Sequence, residues 1–267
     1  MSTWVLLRGL VREQRHWANF PEELRRRLPG AEIVTLDLPG NGTQHLATSP
    51  TRVEDMAEYC RQELKRRGLP PPYHLLALSL GAMVATAWCT RYPQEIAACV
   101  LINTSLRPFS PFYRRLRPHN YTKMLGAALS NDLERRERLI LQLTSNRPDV
   151  QTGHLADWGA YQREFPVSRR NALRQLVAAI RFRAPLAKPP VPILVLGSTK
   201  DRLVNAYCSR KLARQWNVEA IFHPQAGHDL PLDDGPWVAQ QVSAWLASVM
   251  ESVPARPSLP EAARQRL

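Results

Sequence analysis

Residues 73–92 read YHLLALSLGAMVATAWCTRY, and the fold turns on how this stretch is divided. Residues 74–78 are a short apolar run, long enough for a buried strand. From Gly81 onward the apolar residues Met83, Val84, Ala87 and Trp88 recur at helical spacing. Only Ser79, Leu80 and Gly81 remain to turn strand into helix. The residue at the tip of so tight a turn takes a strained backbone and needs small neighbours. Ala77 and Gly81 supply them, two residues before and two after Ser79. The pattern is G-x-S-x-G with Ala in the first place, an arrangement that lifts a serine hydroxyl off a sheet edge at the start of a helix. The competing reading is a serine that only caps a helix N-terminus.

Working outward, the same strand–helix alternation recurs on both sides. Strands are expected at residues 3–7, 32–36, 97–102, 191–197 and 219–223, and helices at 13–28, 53–67, 205–216 and 236–250. The order predicts an α/β fold: a mainly parallel sheet of about six strands flanked by helices. Residues 106–188 break the rhythm, being basic, helical in propensity and without a clear strand. They are expected to form a helical lid inserted into a core made of 1–105 and 189–252. The proline-bearing polar stretch 253–267 is expected to be a mobile tail.

The 267 residues are 44% apolar, enough for a sizeable core. No apolar run approaches the roughly 18–20 residues of a membrane span. The start, MSTWVLLRG, reads as a strand and not as a secretory leader. Cys60, Cys89, Cys99 and Cys208 are dispersed and form no C-x-x-C pair, which fits buried thiols in a reducing cytoplasm and neither a disulfide framework nor a metal site. The formal charge is +13, and residues 106–188 hold 16 Lys/Arg against 6 Asp/Glu, a net of +10. Such a segment can attract nucleic acid, anionic lipid or a phosphorylated substrate. Its 31 Arg against 5 Lys over the whole chain also fits a compositional skew with no function. No aromatic-interleaved basic motif appears, so a nucleic-acid partner is not expected.

In an open parallel sheet, ligands bind beyond the carboxyl ends of the strands. The loops there carry Arg8-Gly9-Leu10, Asp37, Ser79, Asn103-Thr104-Ser105, Asp201 and His228. One serine, one acid and one histidine thus fall at a single edge, in the order Ser, Asp, His. A serine hydroxyl is a poor nucleophile near neutral pH, so a base must take its proton during attack. His228 is the candidate base, and Asp201 the acid that would fix its tautomer. The backbone N–H groups of Leu80 and Leu10 are the candidate donors to a tetrahedral oxyanion. Other readings stay open: His228 as a loop residue capping the last helix, Asp201 as a turn acid, and Ser105 as a rival serine without an elbow. Asp37 is expected to order its own turn, Asp233 and Asp234 to cap the closing helix, and His16 with Trp17 to pack, with lining a pocket the lesser alternative.

With these motifs in place, the chain resembles the α/β-hydrolase family in its lid-bearing, single-domain esterase-like branch. ALSLGAMVA around Ser79, LDLPGNG from Leu36, GSTKDRLV around Asp201 and AGHDLPLDD around His228 carry the resemblance, in family order. It implies Ser79 as nucleophile, Asp201 as acid, His228 as base, Leu10 and Leu80 as oxyanion donors, and no cofactor or metal. It also implies a carboxylic ester or thioester as the small-molecule substrate, cleaved through an acyl-enzyme. One departure matters: the family's usual His-Gly after the first strand is here Arg8-Gly9. Phe109, Phe112, Tyr113, Tyr121, Met124 and Trp158 in the insertion are the candidate pocket liners. The alternatives are a hydrolase-fold protein that binds without turnover, or the same triad used for C–C hydrolysis, lyase or acyl-transfer chemistry.

Overall fold

A computed structural model describes residues 2–252; the expected tail lies outside them. Six strands, β1 (Thr3–Leu7), β2 (Glu32–Leu36), β3 (Tyr73–Leu78), β4 (Ile96–Ile102), β5 (Ile193–Ser198) and β6 (Glu219–His223), form one parallel sheet in the order β2-β1-β3-β4-β5-β6. All six carboxyl ends therefore lie on one edge. The helices are α1 (Phe20–Arg27), α2 (Val53–Arg66), α3 (Leu80–Arg91), α4 (Phe112–Arg115), α5 (Tyr121–Leu129) and α6 (Leu133–Thr144). Then come α7 (Pro148–Glu164), α8 (Arg169–Arg181), α9 (Tyr207–Trp216), α10 (Leu230–Asp233) and α11 (Gly235–Ser252). The segment between β4 and β5 holds α4 to α8. No helix of the described residues is long and apolar enough to cross a membrane.

The near-continuous apolar strands follow from burial on both faces. Alternate residues feed two cores. Val5, Leu7, Leu75, Ala77, Cys99, Leu101 and Val195 join residues of α2, α3 and α9 such as Met56, Trp88 and Leu212. Trp4, Leu6, Leu76, Val100, Ile102 and Leu194 join Phe20 and Leu24 of α1 and Val238 and Val242 of α11. Helix α3 is buried from Leu80 to Cys89, which explains why this stretch lacks a polar face. All four cysteines are buried free thiols; burial raises the Cys60 thiol to about 12.

One element differs from expectation. The helix predicted over 13–28 is instead a 3-10 turn, Gln14–Trp17, a break at Ala18 with φ 48°, and α1. Pro21 is the reason: without an N–H it is tolerated in the first turn of a helix but not in its interior, so a new helix begins at Phe20.

The tightest contact in the sheet layer is at Gly81. A Cβ there would lie 2.3 Å from the Leu7 carbonyl oxygen and 2.7 Å from that of Arg8. These are backbone atoms at the end of β1, which cannot swing aside as a side chain would. Gly81→Ala should therefore destabilise the protein by about 1–3 kcal/mol in a urea titration. A wild-type midpoint would contradict this close approach.

Candidate active site

At the tip between β3 and α3, Ser79 has φ 56° and ψ −113°. This conformation is costly for a non-glycine residue, of order 1–3 kcal/mol. It is held from below by the Ser79 N–H to the Ile102 carbonyl (3.0 Å) and from the side by Thr104 Oγ1 donating to the Ser79 carbonyl (3.3 Å). The serine side chain makes no capping hydrogen bond, so the helix-cap reading has no support. Gly9 lies alongside, where a Cβ would come 3.3 Å from Ser79 Cβ. The amides of Leu80, in the first turn of α3, and of Leu10, after Gly9, have no hydrogen-bond partner among the described residues. Unpaired donors at a helix N-terminus are suited to an anion.

Asp201 and His228 meet behind the sheet edge. His228 Nδ1 lies 2.8 Å from Asp201 Oδ2, and both residues are buried. Asp201 Oδ1 accepts from the Leu203 and Val204 amides at 2.8 and 2.9 Å, which fixes the carboxylate plane. With Nδ1–H donated to Asp201, Nε2 is left as the basic nitrogen. Burial disfavours the charged ring, but the charge and hydrogen bond of Asp201, with Asp229 nearby, outweigh it; the His228 pKa is raised above 6.5. Among the described residues no hydrogen bond joins Ser79 Oγ to this ring. Such bonds are often long without substrate and tighten in the complex.

Several residues that shape this site carry no obvious signal in the sequence. Asn103 has φ 43° and reaches across from β4: its Nδ2 donates to the His228 carbonyl (2.8 Å), the Gly227 carbonyl (3.2 Å) and Ser198 Oγ (2.9 Å), while Oδ1 accepts from Ser198 N (2.7 Å). Asp233 is not a cap for α11. It accepts from Ser145 Oγ, Asn146 N and Gly227 N at 2.5, 3.0 and 2.7 Å, tying the loop before His228 to the inserted helices. Asp234 does cap, accepting from Trp237 N at 3.1 Å. Asp37 orders its own turn through Gln14 N and Thr43, as expected. A run such as Asp233-Asp234 after the histidine could have hinted that one acid serves the histidine loop.

The loop after β1 is clamped by the inserted helices. Val11, at φ 52°, donates its N–H to Gln175 Oε1 of α8 at 2.9 Å; Gln175 is fully buried and its Nε2 donates to Asn41 Oδ1 (2.7 Å) and Ser49 Oγ (3.1 Å). Arg12 pairs with buried Glu137 of α6 at 2.7 Å and lies 4.8 Å from the Trp158 ring centre of α7. His16 is fully buried against Trp158, which places it in packing; burial first, then the charges of Arg12 and Arg8, push its pKa well below 6.5 and keep it neutral. Of the candidate liners, Trp158 is thus packed on His16, and Phe109 stands edge-to-face on Trp216. Phe112, Tyr113 and Tyr121 are exposed and Met124 is half-buried. Ser105 is buried without an elbow geometry. On the Asp201 side opens a cleft of about 620 Å³, where Arg117, Arg147, Lys200 and Arg202 face Asp233 and Asp234.

With this geometry in view, the chain belongs to the alpha/beta hydrolase family, whose family model matches residues 4–241. Among solved structures it is similar to an Acinetobacter baumannii AYE protein assigned as a lipase (TM-score 0.75, 22% identity, 94% of this chain and 85% of that one). It is also similar to an esterase of Thermogutta terrifontis (TM-score 0.69, 19% identity, 93% and 90%). At such identities these likenesses speak to the fold. In sequence it is 32% identical over 105 residues to a bifunctional biotin-biosynthesis protein of Teredinibacter turnerae, covering 39% of this chain and 17% of that protein. It is 33% identical over 85 residues to a Haemophilus influenzae protein assigned as a 2-succinyl-6-hydroxy-2,4-cyclohexadiene-1-carboxylate synthase, covering 32% of each. The chain thus spans a third or less of the length of these curated relatives.

Asn103→Ala removes the Nδ2 donor to both the Gly227 and His228 carbonyls and leaves Ser198 N unpaired. Each uncompensated buried group should cost about 1–3 kcal/mol, read as a lower denaturant midpoint. An unchanged midpoint would mean that water replaces the amide.

Proposed function

We propose that the protein is a serine hydrolase that cleaves a carboxylic ester or thioester through an acyl-enzyme on Ser79. The observation that carries this reading is the strained Ser79 between two unpaired amides, on the sheet edge shared with the Asp201–His228 pair. Ser79 Oγ attacks the acyl carbon, and its proton passes to His228 Nε2. The new C–O bond puts negative charge on the former carbonyl oxygen, which the Leu10 and Leu80 amides receive; one such donor is worth about 100- to 1,000-fold in rate. Collapse breaks the bond to the alcohol or thiol, which takes the proton from His228. Water, deprotonated by the same ring, then attacks the acyl-enzyme, and Ser79 departs with the proton. Asp201 holds the ring and stabilises its charged form throughout.

Residues 106–188 act as an inserted lid in this reading, and the exposed rings of Phe112, Tyr113 and Tyr121 with Met124 line the acyl pocket. The free thiols fit a reducing compartment such as the cytoplasm. The likeness to a relative assigned as a synthase favours a second reading, in which the same three residues serve lyase or acyl-transfer chemistry. Turnover of simple esters by the wild type and loss of all of it in Ser79→Ala and in His228→Ala would support hydrolysis, since the two groups act as one unit. Because attack needs a neutral ring whose pKa is raised, kcat/KM should rise with pH through one ionisation centred above 6.5. Turnover surviving both substitutions would contradict the assignment; a midpoint below 6.5 would contradict only the raised ring pKa.

The net charge of +10 over residues 106–188 supports an anionic group on the substrate or its carrier. Added salt should then lower kcat/KM for an anionic thioester while a neutral ester changes little. Equal salt responses would reject the anionic preference.

A further inference from the structure

The family's usual histidine after β1 is absent, yet the loop is not loose. Arg8 reaches across the sheet edge to Asp229, the residue that follows His228. Its two terminal nitrogens donate to the two carboxylate oxygens at 3.0 and 2.5 Å. The side chains are 2% and 5% exposed. Trp17 covers the guanidinium, with its ring centre 4.7 Å from Cζ. Asp229 is itself fixed, its N–H donating to the Thr144 carbonyl at 2.8 Å.

The two residues belong to the two loops that matter most for the proposed reaction. Arg8 lies two residues before Leu10, and its carbonyl oxygen abuts Gly81 in the elbow. Asp229 adjoins His228. A buried ion pair is a poor device for stability alone, because an apolar pair of similar size often does as well or better. A bidentate guanidinium–carboxylate pair does fix distance and orientation, since both groups are planar. Resting on the serine-hydrolase reading, we propose that the Arg8–Asp229 pair is a positioning device that joins the oxyanion loop to the base.

The pair also sets the charge that the His228 ring faces. Asp201 approaches from the loop after β5, Asp229 from its own loop and Arg8 from the loop after β1. Asp229 favours the protonated ring and Arg8, acting less strongly, opposes it, so the intact pair offsets part of the Asp229 effect beside that of Asp201. Removing only the carboxylate leaves an arginine that stays charged. The ring should then lose its proton more easily.

This separates positioning from electrostatics. In Asp229→Asn the rising limb of the pH–rate profile should move to lower pH. In the double variant Arg8→Met/Asp229→Leu, both charges are gone, and the limb should return towards the wild type. The double variant should fold with nearly wild-type stability, yet show kcat on a simple ester reduced by about 10- to 100-fold with KM little changed, because the Leu10 donor is no longer registered against the base. Wild-type kcat in the folded double variant would overturn the proposal, and it does so even if Asp229→Asn fails to fold. An unmoved limb in folded Asp229→Asn would overturn the electrostatic part. Histidine NMR gives a readout without turnover: the His228 ring resonance should titrate at lower pH in Asp229→Asn than in the wild type, and coincident titrations would count against the pair. Ser79→Ala in the same assay keeps the two ideas apart, since turnover that survives it refutes the hydrolase reading and not the pair.

Discussion

The first turn of α3 lies directly on the carbonyl end of β1, and much else follows from that contact. Gly81 has no room for a side chain against the Leu7 and Arg8 oxygens. With the helix start pressed there, the chain leaving β3 has one residue in which to reverse, and Ser79 takes φ 56° to do so. Ala77 is fully buried at the strand end beside Leu7, and Gly9 crowds Ser79 from the neighbouring loop. The side chain at the tip therefore has nowhere to go except outward. The amides of Leu80 and Leu10 are brought to either side of it by the same packing. A strained serine and two unpaired donors are features that folding alone would avoid; the central strands, buried on both faces, supply the burial that tolerates them.

The remaining loops are fixed by polar side chains. Asn103 holds the His228 backbone against the end of β5, Asp233 binds the same loop to the inserted helices, and Gln175 holds Val11. Each bond is buried, where an unpaired group costs more than a formed bond contributes, so the arrangement is specified as well as stabilised. The consequence for chemistry is preorganisation. In the proposed reaction, the Leu10 and Leu80 amides that would meet developing charge are already aimed, leaving little reorganisation for the reacting complex.

Strand positions were legible because parallel strands buried on both faces leave unbroken apolar runs; Thr3–Leu7, Glu32–Leu36 and Glu219–His223 were expected with these bounds. The elbow was legible because sterics restrict residues 77 and 81 to small side chains. Strand order puts the loops of Asp201 and His228 on one edge, where the two side chains meet. The break at Ala18 was missed although Pro21 marks it. The Arg8–Asp229 pair, Asn103 and Gln175 were not legible as partners, because the contacts span 221, 125 and 164 residues and no local pattern encodes them. Arg8 stands out in the sequence only as a departure from a family pattern, while its partner Asp229 lies 221 residues away.

The most direct test of this account is a crystal structure of the protein treated with a phosphonate ester that mimics the tetrahedral intermediate. Phosphorus should be bonded to Ser79 Oγ, with one phosphonyl oxygen about 2.7–3.1 Å from both the Leu10 and Leu80 nitrogens and His228 Nε2 turned towards the serine oxygen. An adduct on another residue, or one on Ser79 whose oxygen points away from both amides, would contradict it.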